Sequence, residues 1–436
     1  MMNKEFVNTM LFVIKSYLIF FEYLILLFFR FNKFDTFKYS VKKLGDLNIF
    51  YVKIFQSLCT NVNLLDEEQI NFLSKYTDNV PYTNDDVDIT FLETLNNVSN
   101  NKLIIENINN KTNLPEPYKS GMIALIYIGE LDDKKIIVKV MKKNIKNKLN
   151  NALNEIKFLI DIIKYLPYIK KLNLDISFNE NKNNLLLQTD FKNEIKNMHK
   201  MIENFKNIDY IIVPTPFEKY TETNDNIIVM NYLEGNKITD ICSKDKDDYA
   251  TLLAKFGIKC LLYDRFVHSD LHSGNILFIK DKDNGELKLG ILDFGVMDIL
   301  SKEEQHAFYK FFLIFSSEND NKLLGNNILD DFTEPKEIVN NLSVFDNNIL
   351  RERLGNAINN IFNKNKNITP KDMYYVNSIL YDYNLRLSTT FCRIQISQVI
   401  GDSVGSNLNN KISYMENLKI VSKSMFSEEM NLLSQN

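Results

Sequence analysis

Three residues define the chemistry open to this chain: Asp270 and Asn275 in Phe266-Val-His-Ser-Asp-Leu-His-Ser-Gly-Asn-Ile-Leu-Phe278, and Asp293 in Leu289-Gly-Ile-Leu-Asp-Phe-Gly295. Their order and spacing are those with which kinase-type phosphoryl-transfer sites hold a metal-bound nucleotide. The first Asp approaches the reacting oxygen, while the Asn and the second Asp carry magnesium. Mg²⁺ requires such hard oxygen ligands, because it prefers carboxylate, carbonyl and water to nitrogen or sulfur. Asp-Phe-Gly alone also arises as an ordinary turn after a strand, so the specificity lies in the joint pattern.

Particular elements must position these groups. A helical segment from Asp248 to Phe266 runs into the loop, and Ile276 to Ile279 and Leu287 to Leu292 read as short apolar strands around Asp283-Asn-Gly285. Asn-Gly is a hairpin signal, and such a hairpin brings Asn275 at its start and Asp293 at its end to one side. Upstream, Ile123 to Leu131 and Lys135 to Met141 form a second hairpin through Asp132-Asp-Lys134. Lys139 stands alone there in the apolar run Ile136-Ile-Val-Lys-Val140, where an unpaired ammonium costs several kcal/mol. In kinases such a lysine pairs with nucleotide phosphates and a helix Glu; on an edge strand it would be a plain surface residue. Spacing leaves two glutamates open, Glu155 on the next helix and Glu194 after a further helical stretch. Asn226-Ile-Ile-Val-Met-Asn-Tyr-Leu-Glu-Gly235 reads either as a core strand and turn, or as a strand and hinge whose backbone around Met230 and Tyr232 meets an adenine edge.

The 436 residues allow two or three domains. A net charge of −4 advertises no basic field for nucleic acid, and the run Lys142-Lys-Asn-Ile-Lys-Asn-Lys148 reads as a solvated helix face. Cys59, Cys242, Cys260 and Cys392 have neither metal-ligand nor disulfide-framework spacing, which suits a reducing intracellular compartment. Leu11 to Phe29 is apolar apart from Lys15 and Glu22 among its charges. Its Leu, Ile, Phe and Val residues contribute roughly −4 to −8 kcal/mol on an insertion scale, against about +3 for each charge. The sum is near zero, which leaves several readings of residues 10–30: a helix at a membrane interface or paired with a partner, a span with Arg30, Lys33, Lys38, Lys42 and Lys43 on the cytoplasmic side, or a buried helix. No transit-peptide composition or small-residue cleavage site is evident.

These residues together resemble the UbiB (aarF-domain, ADCK) family of atypical kinases. Its His-Ala-Asp-Pro-His-Pro-Gly-Asn run is matched by His268, Asp270, His272, Gly274 and Asn275. Leu44-Gly-Asp-Leu-Asn-Ile-Phe-Tyr-Val-Lys-Ile-Phe-Gln-Ser-Leu58, with Asn63-Leu-Leu-Asp-Glu-Glu68 after it, looks like the Lys-x-Gly-Gln signature helix and its sequel, which carries the signature onto Lys53 and Gln56. Gln188-Thr-Asp190 with Glu194 looks like the Glu-x-Asp helix and the ion-pairing Glu, so the resemblance favours Glu194 over Glu155. It covers roughly residues 40 to 320. There are departures: Phe55 replaces the signature Gly, Gln188 replaces a Glu, and Ser120-Gly-Met-Ile-Ala124 stands where the family has an Ala-rich nucleotide loop, with Ala124 as the matching position.

The resemblance implies an α+β, protein-kinase-like bilobal fold, with a small antiparallel-sheet N-lobe, a helical C-lobe and a helical N-terminal extension across the active-site cleft. The expected division is an apolar helix and candidate anchor over 1–34, the extension over 35–112, the N-lobe over 113–233 and the C-lobe over 234–436. ATP or ADP with Mg²⁺ is the implied ligand, an adenine nucleotide and a lipid or membrane surface are the expected partners, and the activity is that of an atypical kinase or ATPase in lipid or isoprenoid metabolism. In this frame Asp270, Lys139, Glu194 and His268 are the catalytic candidates. Lys139, Asn275, Asp293, Met230, Tyr232 and Ala124 bind cofactor, Asn275 and Asp293 hold metal, and Lys53, Gln56 and Asp190 carry the signature.

A protein-kinase reading meets a physical difficulty, because the capping-box pattern Ser301-Lys-Glu-Glu-Gln305 restarts a helix within a few residues of Gly295. That leaves no room for a long activation segment, and Ser269 stands where an Arg would answer a phosphate. Two alternatives remain: a nucleotide-binding pseudokinase scaffold, and an aminoglycoside- or choline-kinase-like enzyme. Lys53, Gln56 and Phe294-Gly295 argue against the latter.

Overall fold

The computed structural model describes residues 4–59, 66–73, 76, 79–100, 102–109, 114–165, 174–317, 320–362, 370–409, 412 and 414–434. They form two units, one of Met1–Lys196 with Thr215–Tyr232 and one of Asn197–Pro214 with Leu233–Asn436. The first is called the sheet unit here and the second the helical unit.

The sheet unit begins with helices α1 (Lys4–Phe28), α2 (Lys33–Leu47), α3 (Phe50–Cys59), α4 (Glu67–Leu73) and α5 (Phe91–Ser99). Strands β1 (Ile104–Ile105), β2 (Lys119–Ser120), β3 (Ala124–Leu131) and β4 (Lys134–Met141) follow, then α6 (Ile145–Ile163), α7 (Leu174–Leu187) and the start of α8 (Phe191–Phe205). After β5 (Ile211–Ile212), which belongs to the helical unit, the sheet unit closes with α9 (Glu218–Thr223) and β6 (Ile227–Asn231). The strands make one five-stranded antiparallel sheet in the order β1-β3-β4-β6, with β2 also on β3. Asp132 and Asp133 take φ of 49° and 60°, the two-residue geometry whose twist matches that of paired strands. Leu131 therefore faces Lys134 directly.

Alternation along β4 divides its side chains between two cores. Ile136, Val138 and Val140 meet Phe91 and Leu95 of α5, while Met141 faces a cluster that includes Leu149 and Leu153 of α6 and Phe55 of α3. Phe55 is buried, its ring 5.4 Å from Tyr76 and 6.5 Å from Tyr51. The position where the resemblance leads one to expect glycine is thus occupied by a ring packed among two others.

In α1, Glu22 and Ser16 bond to the neighbouring helices. Glu22 accepts from Lys43 Nζ at 2.8 Å and Tyr39 Oη at 2.9 Å, and Ser16 Oγ meets Tyr51 Oη at 3.2 Å. Leu11, Ile14, Leu18, Phe21, Leu24 and Phe28 face outward and are exposed. Val7–Phe28 is long and apolar enough to cross a membrane, and 6% of its most apolar window is buried. A buried helix does not fit this exposure.

In the helical unit, α10 (Lys246–Ile258) passes into a five-residue π turn, Lys259–Tyr263, before β7 (Phe266–His268). The helix expected to reach Phe266 stops short because Arg265 takes a φ of 53° and strand pairing begins. Hairpin β8 (Ile276–Lys280) and β9 (Leu287–Ile291) carries β5 in parallel on β9, and β10 (Met297–Ile299) pairs with β7. Ser301 and Glu304 then form the expected reciprocal cap, with Glu304 N donating to Ser301 Oγ at 3.1 Å and Ser301 N to Glu304 Oε2 at 2.8 Å. They open α11 (Lys302–Ser317).

Helices α12 (Asn321–Asp331), α13 (Lys336–Asn340), α14 (Val344–Phe362), α15 (Pro370–Tyr381), α16 (Thr389–Leu408) and α17 (Tyr414–Ser434) complete this unit. Where α12 and α14 touch, a Cβ on Gly325 would lie 1.8 Å from Arg351 O, and one on Gly355 would lie 1.7 Å from Asn321 O. Only backbone fits there.

The α+β class expected from the sequence, with a small antiparallel sheet and a largely helical second unit, is the one observed.

Candidate functional site

In the sheet unit, β4 is flanked by β3 and β6, so Lys139 lies on an interior strand opposite Ile126 and Ile228. Its ammonium is 2.7 Å from Glu194 Oε1 and 2.9 Å from Oε2, and 5.4 Å from the centre of the Phe191 ring. Glu194 is 1% exposed and Lys139 is 9% exposed. A two-pronged, charge-assisted pair of this kind meets the need of a cation buried in apolar surroundings. Asp190 caps α8, accepting from Asn193 N at 3.0 Å, and so fixes the first turn that carries Glu194. Glu155 is engaged elsewhere: it accepts from Asn48 Nδ2 at 2.8 Å, and burial pushes its carboxyl upward.

Ala124 is buried at the start of β3, where Gly121 N donates to its carbonyl at 2.8 Å. Met230 is buried on β6 opposite Ile137, and Tyr232 N donates to Lys135 O at 3.2 Å. Lys53 lies on α3; the Gln56 side chain and residues 63–65 fall outside the described residues. One expectation is corrected here. Lys142 does not belong to a solvated helix face, because α6 starts only at Ile145 and Lys142, just past β4, is 5% exposed.

In the helical unit, β8 and β9 pair from Ile276 opposite Ile291, and Leu292 N donates to Asn275 O at 3.0 Å. Asn275 and the residue before Asp293 are thereby locked side by side. Asn275 Nδ2 donates to Asp270 O at 2.9 Å. That bond ties the two ends of the loop and turns the amide oxygen to the other side, where it accepts from no described residue. Asp293 Oδ1 accepts from Gly295 N at 2.9 Å. An amide oxygen and a carboxylate held by backbone bonds are donors of the hardness magnesium takes. Among the described residues no group of three or more His, Cys, Asp or Glu side chains could hold a metal, so an ion here would rely on Asn275, Asp293 and the phosphates.

His268 ties the loop to the Asp-Phe-Gly turn. Its Nδ1 accepts from Asp270 N at 3.3 Å and its Nε2 donates to the carbonyl of Asp293. Burial pushes its pKa down against the pull of Asp293, and the two bonds require a ring with its proton on Nε2.

Sequence reasoning missed two supports. Asn197 of α8 donates from Nδ2 to Phe294 O at 2.9 Å, holding the Asp-Phe-Gly turn; a polar residue on an otherwise buried helix face was its only signal. Ser269 donates to Asp298 Oδ2 at 2.5 Å, and Asp298 also pairs with Arg393 at 3.0 Å. The position that lacks the usual Arg thus anchors the loop to a carboxylate.

The profile of the ABC1 atypical kinase-like domain matches residues 105–326, about half of the 436-residue chain. The chain belongs to the ABC1 atypical kinase-like family. A relative in Dictyostelium discoideum named probable serine/threonine-protein kinase abkC is 31% identical over 175 residues, 39% of this chain and 25% of that protein. The probable protein kinase UbiB of Shewanella sp. (strain MR-4) is 26% identical over 297 residues, 66% of this chain and 52% of that protein. The chain therefore spans a quarter to about half of these relatives. The solved Rv3197–erythromycin complex of Mycobacterium tuberculosis aligns over 71% of this chain and 76% of its own, with a TM-score of 0.45 and 16% identity. Lys139, Glu194, His268, Asp270, Asn275 and Asp293 all fall inside the ABC1 match.

Proposed function

We propose that this ABC1-family chain binds ATP or ADP with Mg²⁺ and transfers or hydrolyses the terminal phosphoryl group, acting at a lipid surface on a small or lipid-like acceptor. The observation that carries the reading is the β8–β9 register, which holds Asn275 and Asp293 together at the mouth of a loop containing Asp270. Asn275 and Asp293 would hold magnesium, which when bound neutralises phosphate charge. Asp270 would position or deprotonate the attacking oxygen. Lys139, oriented by Glu194, would bind phosphate oxygens, with the adenine edge met by backbone around Met230 and Tyr232. The outward apolar face of α1 and the neighbouring lysines support work at a membrane. Only β10 separates the Asp-Phe-Gly turn from α11, which supports a small acceptor over a docked protein.

The test is thermal unfolding of the full chain with ATP and with ADP, with and without Mg²⁺, beside Asp293→Ala. Ligand at 100 times its Kd stabilises the folded state by about 2.7 kcal/mol. A magnesium-dependent rise in Tm that disappears in Asp293→Ala is expected; no rise with either nucleotide would reject the proposal.

A second reading, a nucleotide-binding scaffold without turnover, is favoured by one observation, the burial of Phe55 at the signature glycine. Nucleotide stabilisation without phosphate release in the presence of lipid vesicles would select it.

A further inference from the structure

A pocket of about 1080 Å³, open on one side, is lined only by residues of the sheet unit, from α2, α3, α4, the segment before α5, and α6. None of the residues assigned above to nucleotide or metal is among its lining residues. Its size is at the upper end of small-molecule sites. Much of the wall is apolar, with Val52, Phe72, Tyr76 and Ile145 among the lining side chains.

Lys142 also lines it, and its ammonium makes no hydrogen bond or ion pair with any described residue although the side chain is almost wholly buried. Burial pushes its pKa down to about 8; the field of Asp86 opposes that fall and the field of Lys148 adds to it. Asp86 is itself engaged, accepting from Lys148 Nζ at 2.7 Å and Thr83 N at 2.9 Å. The other charged groups on the lining are Lys38, Lys42 and Asp46 of α2 and Glu155 of α6, with Glu155 bonded to Asn48. An ammonium that faces a largely apolar pocket with no protein partner is poorly compensated, and a bound anion would compensate it. Tyr39 connects this cavity to α1, since it both lines the wall and donates to Glu22 of the helix whose apolar face is exposed.

We propose that this cavity binds an amphiphile with an anionic, phosphate-type head, the head resting on Lys142 and the apolar body against Val52, Phe72 and Tyr76. The shared chemistry is a phosphate monoester, from a lipid or from a free anion, and the probes separate the two. Calorimetric titration of the full chain would use octyl phosphate below its micelle concentration, inorganic phosphate and octanol, against wild type, Lys142→Met and Asp293→Ala. Saturable binding of octyl phosphate is expected, at least tenfold tighter than that of phosphate or octanol. It should weaken tenfold or more in Lys142→Met and stay unchanged in Asp293→Ala. Phosphate binding as tightly as octyl phosphate would overturn the amphiphile, and equal affinity in wild type and Lys142→Met would overturn the site. Loss in Asp293→Ala would move the anion to the nucleotide residues and overturn it as well. Lys142→Met removes an unpaired charge at nearly constant volume and so should fold; Lys142→Gln provides a second variant for the same comparison.

Discussion

The interior of the five-stranded sheet and the cavity beside α6 each bury a lysine, three residues apart in the chain, and treat it in opposite ways. Lys139 meets both oxygens of Glu194, whereas Lys142 hydrogen-bonds to no described group, and Asp86, the carboxylate whose field acts on it, is engaged by Lys148. In the sheet a second protein element has been recruited to neutralise the charge. At the cavity the charge stands open toward space a ligand could fill. Burial of a cation therefore says little until its partner is known: the pair holds the protein in one arrangement, and the lone ammonium costs stability that binding can return.

The sharpest way to break this contrast is Glu194→Ala, which leaves Lys139 buried and uncompensated. Loss of about 3–5 kcal/mol is expected, read by denaturant unfolding, and the double variant Lys139→Met/Glu194→Leu should regain most of it. An unchanged midpoint in Glu194→Ala would mean that the pair contributes nothing. In the opposite direction, Lys142→Met should raise stability at pH 7 by about 1–3 kcal/mol.

The same lysine gives a pH signature. Its folded pKa of about 8 lies below the ordinary 10.5, so between these values the unfolded chain holds the extra proton. Wild-type stability therefore gains a rising contribution with pH across about 8 to 10.5, and Lys142→Met should lack it. Overlapping pH profiles of the two proteins would contradict the burial of the charged group. Smallest of all, Asp86→Asn should cost about 1–2 kcal/mol through its bonds to Lys148 and Thr83. It should also make the rise attributed to Lys142 start at lower pH.

What the sequence disclosed follows from how locally each feature is determined. The β3–β4 turn was legible because two consecutive aspartates suit the positive φ it needs, and the Ser301 cap because its two bonds join residues three apart. The β8–β9 hairpin was legible from Asn284-Gly285 between apolar runs. Choosing between Glu155 and Glu194 was beyond spacing, since each begins from a helix after β4 and the decision rests on Asn48 reaching one carboxylate and Lys139 the other. Lys142 was misread because a Lys-rich run looks solvated, while it lies just past β4 and lines a pocket shared with α2 to α4, which begin and end far upstream. For α1 the composition could not say which side faces out; Glu22 bonding to Lys43 and Tyr39 decides it.

The contact between Gly325 and Gly355 bears on any comprehensive substitution library of this chain. With backbone atoms less than 2 Å from where each new side chain would begin, every replacement at either codon should vanish from a pool sorted for folded protein. Such depletion would lie far in sequence from Asp270 and Asp293, yet in an activity screen it would look the same as loss of a catalytic group. Scores at these two positions gain meaning only when divided by cellular abundance, and the pair can serve as an internal standard for the unfolded end of that scale.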